Sequence, residues 1–122
     1  MNYLFDTNAL IKLSQLQYNF SFGNDATSIL SVIEFPYIVK KAPDLEVLYP
    51  TRNNFDTAFE MILTLRNEGY PIPGMDAIIA GMGLNTERCV VTSDKHFAYI
   101  KEFYEREFTY ISIEEFCLVK KM

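Results

Sequence analysis

The sequence predicts an α/β fold in which a short parallel sheet is covered by helices on both faces. Segments that read as strands alternate with segments that read as helices along the chain, the order that parallel strands joined by helical crossovers require. Two of the strand segments, Asn2 to Phe5 and Arg88 to Thr92, also contain short apolar runs of the kind a doubly covered sheet buries. Right-handed crossovers bring the carboxyl ends of such strands to one edge. In open sheets of this kind the crevice at the topological switch point is the expected ligand site.

The first strand, Asn2 to Phe5, leads into a helix that runs to about Leu16 with Leu10, Leu13 and Leu16 on one side. Gly23-Asn24-Asp25 marks a loop over Tyr18 to Asp25, and Thr27 to Leu30 reads as the second strand. Ser31 to Glu34 opens a helix to about Lys41, with Pro36 near its first turn, where a missing N–H costs little. Leu45 to Tyr49 is a third strand. Thr51 starts a long helix with Phe55, Phe59, Ile62 and Arg66 at helical spacing, ending at Gly69. Pro71 and Pro73-Gly74 precede a helix from Asp76 to Leu84 that is apolar all round after its first residue and therefore buried. Gly81 and Gly83 allow a neighbouring element to come close. Arg88 to Thr92 and Phe108 to Ile111 are the last strands, and Ser112 to Glu115 caps a terminal helix.

A chain of 122 residues, 49% apolar and 22% charged, fits a single domain over 1–122 with its own core. No apolar run reaches the ~18 residues of a membrane span, and the N-terminus lacks a basic region and cleavage site, so a cytoplasmic protein is expected. Cys89 and Cys117 stand among apolar residues without metal-binding spacing and read as buried thiols. The net charge of −5 argues against indiscriminate binding of nucleic acid through bulk charge. Selection of such a substrate would depend on local patches.

Four acids stand at the ends of apolar segments. Asp6 closes Tyr3-Leu4-Phe5 and Asp94 comes after Cys89-Val90-Val91-Thr92, while Glu34 and Asp76 are placed at the starts of helices. Each has an ordinary explanation. Asp6 or Thr7 can N-cap the first helix, and Ser31-x-x-Glu34 matches a capping box. Asp76 in a first turn is favoured by the helix dipole, and Asp94 can cap the segment His96-Phe97-Ala98. If these ends converge, however, they form a negative pocket that requires cations.

Taken as an ordered set, Leu4-Phe-Asp-Thr-Asn-Ala-Leu10, Ser31-x-x-Glu34-Phe35, Asp76-Ala-Ile-Ile-Ala-Gly-Met82 and Val91-Thr-Ser-Asp-Lys-His-Phe97 resemble the motifs of PIN domains. The likeness spans nearly the whole chain, and VapC-type toxins and their prokaryotic relatives are the nearest match. The resemblance implies a three-layer α/β/α sandwich with a short, mostly parallel central sheet and a Mg²⁺- or Mn²⁺-dependent endoribonuclease. It also implies an RNA substrate, an antitoxin protein that occludes the pocket, and a homodimer. By position, Asp6, Glu34, Asp76 and Asp94 form the acidic quartet, and Asn8, Ser31 and Thr92 are the polar positions beside it. His96 stands where many relatives carry a further acid, and the segment between Asp6 and Glu34 is short.

The implied chemistry suits these residue types, because hard divalent cations prefer oxygen ligands. Asp6 and Asp94 are expected as direct ligands. Glu34 and Asp76 would bind a second ion, act through water or orient a nucleophile. His96, the one histidine, is expected near the surface or beside the site without a proton-transfer partner. Lys12, Arg52, Arg66 and Lys95 could meet phosphates, but each reads equally as a solvated charge. A second reading is a PIN-like RNA-binding or scaffolding module with little catalysis, favoured by His96. A third, a phosphatase of the haloacid-dehalogenase type, rests on Phe5-Asp6-Thr7-Asn8 and fails on the missing second carboxylate at Asn8.

Overall fold

The apolar run Tyr3–Phe5 (β1) is the middle strand of the sheet. The computed structural model describes residues 1–122, and its other strands are Asp25–Ser28 (β2), Glu46–Leu48 (β3), Cys89–Val91 (β4) and Tyr110–Ile111 (β5). Their order is β3-β2-β1-β4-β5, and every pairing is parallel. The chain therefore runs outward from β1 on one side and then returns to β1's other side. That makes the end of β1, beside β4, the switch point.

Successive residues of β1 face opposite sides of the sheet, and this alternation divides the core in two. Phe5 packs with Leu10 and Leu13 of helix α1 (Thr7–Gln15) and Phe116 of helix α7 (Ile113–Val119). Val32 of α2 (Ile29–Glu34) and Ile38 of α3 (Ile38–Lys41) belong to the same layer. Leu4 and Val90 face the other layer, with Met61 and Leu65 of α4 (Arg52–Asn67), Ala80 and Met82 of α5 (Gly74–Asn85), and Phe97 and Ile100 of α6 (His96–Phe103). The result is a three-layer α/β/α sandwich. No helix is long and apolar enough to cross a membrane.

Local chemistry shifts several boundaries from their expected places. Ser28, not Ser31, caps α2, its hydroxyl accepting the Leu30 N–H at 2.8 Å. The helix therefore starts at Ile29, the second strand ends at Ser28, and Glu34 closes α2 instead of opening a helix. The helix expected to reach Lys41 breaks at Phe35, whose backbone (φ −136°, ψ 71°) leaves the helical region ahead of Pro36. It resumes as α3. Helix α4 starts as expected, with a reciprocal Thr51–Asn54 capping box, and the chain turns after it at Gly69 (φ +85°). Helix α6 starts at His96 without a clear pattern of its own in the sequence.

Helices α4 and α5 lie close because Gly81 has no side chain. A Cβ at Gly81 would stand 2.9 Å from the Asn54 carbonyl oxygen, a backbone atom that cannot rotate away. Gly81→Ala gains helix propensity of about 1 kcal/mol but adds overpacking of about 1–3 kcal/mol. A net loss of up to about 2 kcal/mol is expected in urea unfolding. A variant more stable than the wild type by the full propensity gain of about 1 kcal/mol would mean that the two helices separate freely.

Candidate active site

The register of the central strands assembles the site. Phe5 pairs with Val91, so the next residues along the two strands, Asp6 and Thr92, emerge side by side at the carboxyl edge. The Asp6 N–H donates to the Val91 carbonyl at 3.2 Å. One oxygen of the Asp6 carboxylate accepts the Ala9 N–H at 3.0 Å and caps α1. The other accepts the hydroxyl of Thr92. The capping explanation of Asp6 is thus correct, yet it uses only half of the carboxylate.

From Thr92 the connection continues. Its hydroxyl oxygen accepts the Asp94 N–H at 2.9 Å, and Asp94 Oδ1 accepts the His96 N–H at 3.0 Å. The His96 ring turns inward, with Nδ1 at 2.8 Å from Asp94 Oδ1 and 2.9 Å from Asp76 Oδ2. Asp76 reaches this point from the first turn of α5. On the other side of Asp6, the exposed Glu34 accepts the Thr7 hydroxyl at 2.7 Å. Glu34 ends its helix, where the dipole disfavours an acid, so helix stability does not explain it.

The electrostatics show the crowding. Burial pushes the Asp6 carboxyl above its ordinary value, the Thr92 and Ala9 hydrogen bonds oppose that, and the charges of Asp94 and Glu34 add to it. Asp76 is pushed up to about 6, chiefly by burial and then by Asp94, against the favourable pull of His96. No Lys or Arg forms an ion pair with any of the four acids; the basic side chain that touches Asp76 and Asp94 is His96. Asp76, Asp94 and His96 each offer a donor atom, and these atoms all lie within 4.8 Å of one another. A set of two carboxylate oxygens and an imidazole nitrogen fits a divalent cation.

The polar positions named from the sequence separate on folding. Thr92 touches Asp6. Ser31 is buried, and its hydroxyl has no protein partner. Asn8 is exposed on α1 and makes no side-chain hydrogen bond; one residue earlier, Thr7 donates to Glu34. His96, expected near the surface or beside the site, lies beside it and joins two acids. The sequence signal for His96 was its place two residues after Asp94; for Thr7 there was none beyond a possible cap.

A raised Asp76 pKa has a consequence for stability. The folded metal-free protein holds this proton more tightly than the unfolded chain does, so the contribution is present below the ordinary value of 3.8 and is lost as pH rises through about 6. Asp76→Asn carries no such charge. The melting temperature of the wild type relative to this variant, measured in EDTA, is expected to fall between about pH 4 and pH 7. A difference independent of pH would contradict the raised pKa.

No protein-family model matches the sequence, and no curated protein matches it. Solved structures do match. The chain is similar to a chain of DNA-bound VapBC from Salmonella typhimurium, at 18% identity and TM-score 0.71 over 93% of this chain and 98% of that one. It is similar to VapBC-1 from nontypeable Haemophilus influenzae, at 18% identity and TM-score 0.67 over 93% and 99%. It is also similar to VapBC2 from Rickettsia felis, bound to a DNA fragment from their promoter, at 18% identity and TM-score 0.65 over 92% and 98%. Identities this low speak for the fold. That fold, a five-stranded parallel sheet between two helical layers, is the one this chain shares with the chains of those VapBC complexes.

Proposed function

We propose that this protein is a divalent-metal-dependent endoribonuclease and the toxin of a toxin–antitoxin pair. The observation that carries the reading is the gathering of Asp6, Glu34, Asp76 and Asp94 at one sheet edge, where no Lys or Arg neutralises them. Four independent caps would have no reason to converge. Asp76, Asp94 and Asp6 are the residues that would hold Mg²⁺ or Mn²⁺. A bound ion supplies Lewis-acid polarisation of a phosphoryl oxygen and a more acidic water.

The chain's own groups divide the remaining work. Thr92 orients Asp6 and the backbone of Asp94 through one hydroxyl. Ala9 holds the other Asp6 oxygen, so the carboxylate rotamer is set before substrate arrives. Thr7 steadies Glu34 at the exposed rim, where it can bind through water or orient a nucleophile. Ile33, Tyr37 and Val39 lie exposed along α2 and α3, an apolar surface suited to an antitoxin, and the similar VapBC structures support such a partner. Phe55, Phe59 and Leu63 are exposed on α4 and suit the homodimer. A cytoplasmic location goes with action on RNA.

A second reading, a PIN-like RNA-binding or scaffolding module with little catalysis, draws on His96 already engaging Asp76 and Asp94. The deciding experiment incubates the purified chain, freed of any copurified antitoxin, with structured and single-stranded RNA in EDTA, Mg²⁺ and Mn²⁺. Cutting in either metal but not in EDTA is expected. RNA that stays intact under all three conditions favours the scaffold.

A further inference from the structure

We propose that His96 is itself a metal ligand, completing with Asp76 and Asp94 a two-carboxylate, one-imidazole site that selects first-row transition ions over Mg²⁺. This inference rests on the reading of the pocket as a metal site and adds which ion it takes. Nδ1 of His96 lies 2.9 Å from Asp76 Oδ2 and 2.8 Å from Asp94 Oδ1. Neighbouring ligands on an octahedral ion with bonds of ~2.1 Å stand about 3.0 Å apart. The imidazole nitrogen therefore already stands at the spacing of an adjacent ligand from each carboxylate oxygen, and all three donors lie within 4.8 Å of one another.

The ring is held for this role by the chain around it. The His96 N–H is anchored on Asp94 Oδ1 at 3.0 Å, and the next residue, Phe97, is fully buried in the core. That fixes the first turn of α6 and aims Nδ1 at the acids. Donor chemistry then sets the preference. Mg²⁺ takes oxygen ligands and keeps its waters, whereas an imidazole nitrogen favours transition ions, with affinity rising from Mn²⁺ through Fe²⁺ to Co²⁺. An acid at this position would lose the discrimination, because a third carboxylate raises affinity for Mg²⁺ as well.

The test is made without RNA. Calorimetric titrations with MgCl₂, MnCl₂ and CoCl₂ compare the wild type with His96→Asp and His96→Gln, and pulsed EPR on the Mn²⁺ forms looks for a directly bound nitrogen. Circular dichroism shows that each variant is folded. The wild type is expected to show the nitrogen coupling, and His96→Asp to lose it while still binding Mn²⁺. The Co²⁺-to-Mg²⁺ affinity ratio is expected to fall by roughly tenfold or more in His96→Asp. Absence of bound nitrogen in the wild type overturns the proposal, as does an unchanged affinity ratio. So does tighter Mg²⁺ binding by His96→Gln with the ratio unchanged, which would make the imidazole a plug between the acids. A nitrogen-ligated ion in a chain that cuts no RNA would leave this proposal standing and sink the nuclease. Mg²⁺-supported cutting with no bound nitrogen would do the reverse.

Discussion

Asp6→Asn is expected to lower metal-dependent RNA cleavage by about two to three orders of magnitude, the scale of losing one preorganised electrostatic group, while leaving the protein folded. Asn caps a helix about as well as Asp, so the Ala9 hydrogen bond can persist. The amide can also meet Thr92, whose hydroxyl is able to accept as well as donate. What disappears is the charge. Because burial already penalises that charge in the metal-free protein, the neutral variant is expected to melt no lower than the wild type in EDTA. Saturating Mn²⁺ should then raise the melting temperature of the wild type more than that of the variant. The combination separates a ligand from a structural residue, since a purely structural Asp6 would cost stability and activity together. Wild-type cleavage rates in the folded variant would remove Asp6 from the metal site.

The parts legible in the sequence are those where chemistry is local. Tyr3-Leu4-Phe5 and Cys89-Val90-Val91 are apolar runs that only buried strands explain, and the positions of the acids beyond them come from where such strands must end. Gly81 announced a close approach, and α4 lies against it. Other features depended on which of two similar local choices prevails. Ser28 and Ser31 both offer a cap ahead of Glu34, and strand pairing of Asp25–Ser28 with β1 decides for the first. The resemblance places Asn8 beside the acids. Once α1 begins at Thr7, each residue turns by about 100°, so Thr7 meets Glu34 and Asn8 faces solvent. The placement of His96 depends on the start of α5 meeting the segment after β4. No periodicity contains that juxtaposition.

Phe5→Ala carries the largest expected effect on stability, a loss of about 3–5 kcal/mol. Phe5 is fully buried on the middle strand, edge-to-face with Phe20 at 5.3 Å and with Phe116 at 5.2 Å between ring centroids. Truncation removes the ring that these partners pack against and leaves a cavity beneath α1 and α7. Backbone pairing cannot fill that cavity, because β1 is held in register on both sides and the Phe5 carbonyl is bound by the Thr27 hydroxyl at 2.7 Å. Against a typical total stability of about 5–15 kcal/mol, such a loss brings the chain near the threshold of folding. The melting temperature should fall by roughly 10–20 °C, and the urea midpoint should fall with little change in slope. Phe5→Leu, which fills most of the space, should lose less than half as much. The effect also reaches the site, because the next residue is Asp6: the same packing that holds Phe5 sets where β1 ends. At a temperature where Phe5→Ala is folded, Mn²⁺ affinity should therefore be weaker than in the wild type. Unchanged metal affinity in the folded variant would show that the Ala9 and Thr92 contacts position Asp6 without help from the core. A stability loss under about 1 kcal/mol would mean that the neighbouring aromatic rings collapse into the space.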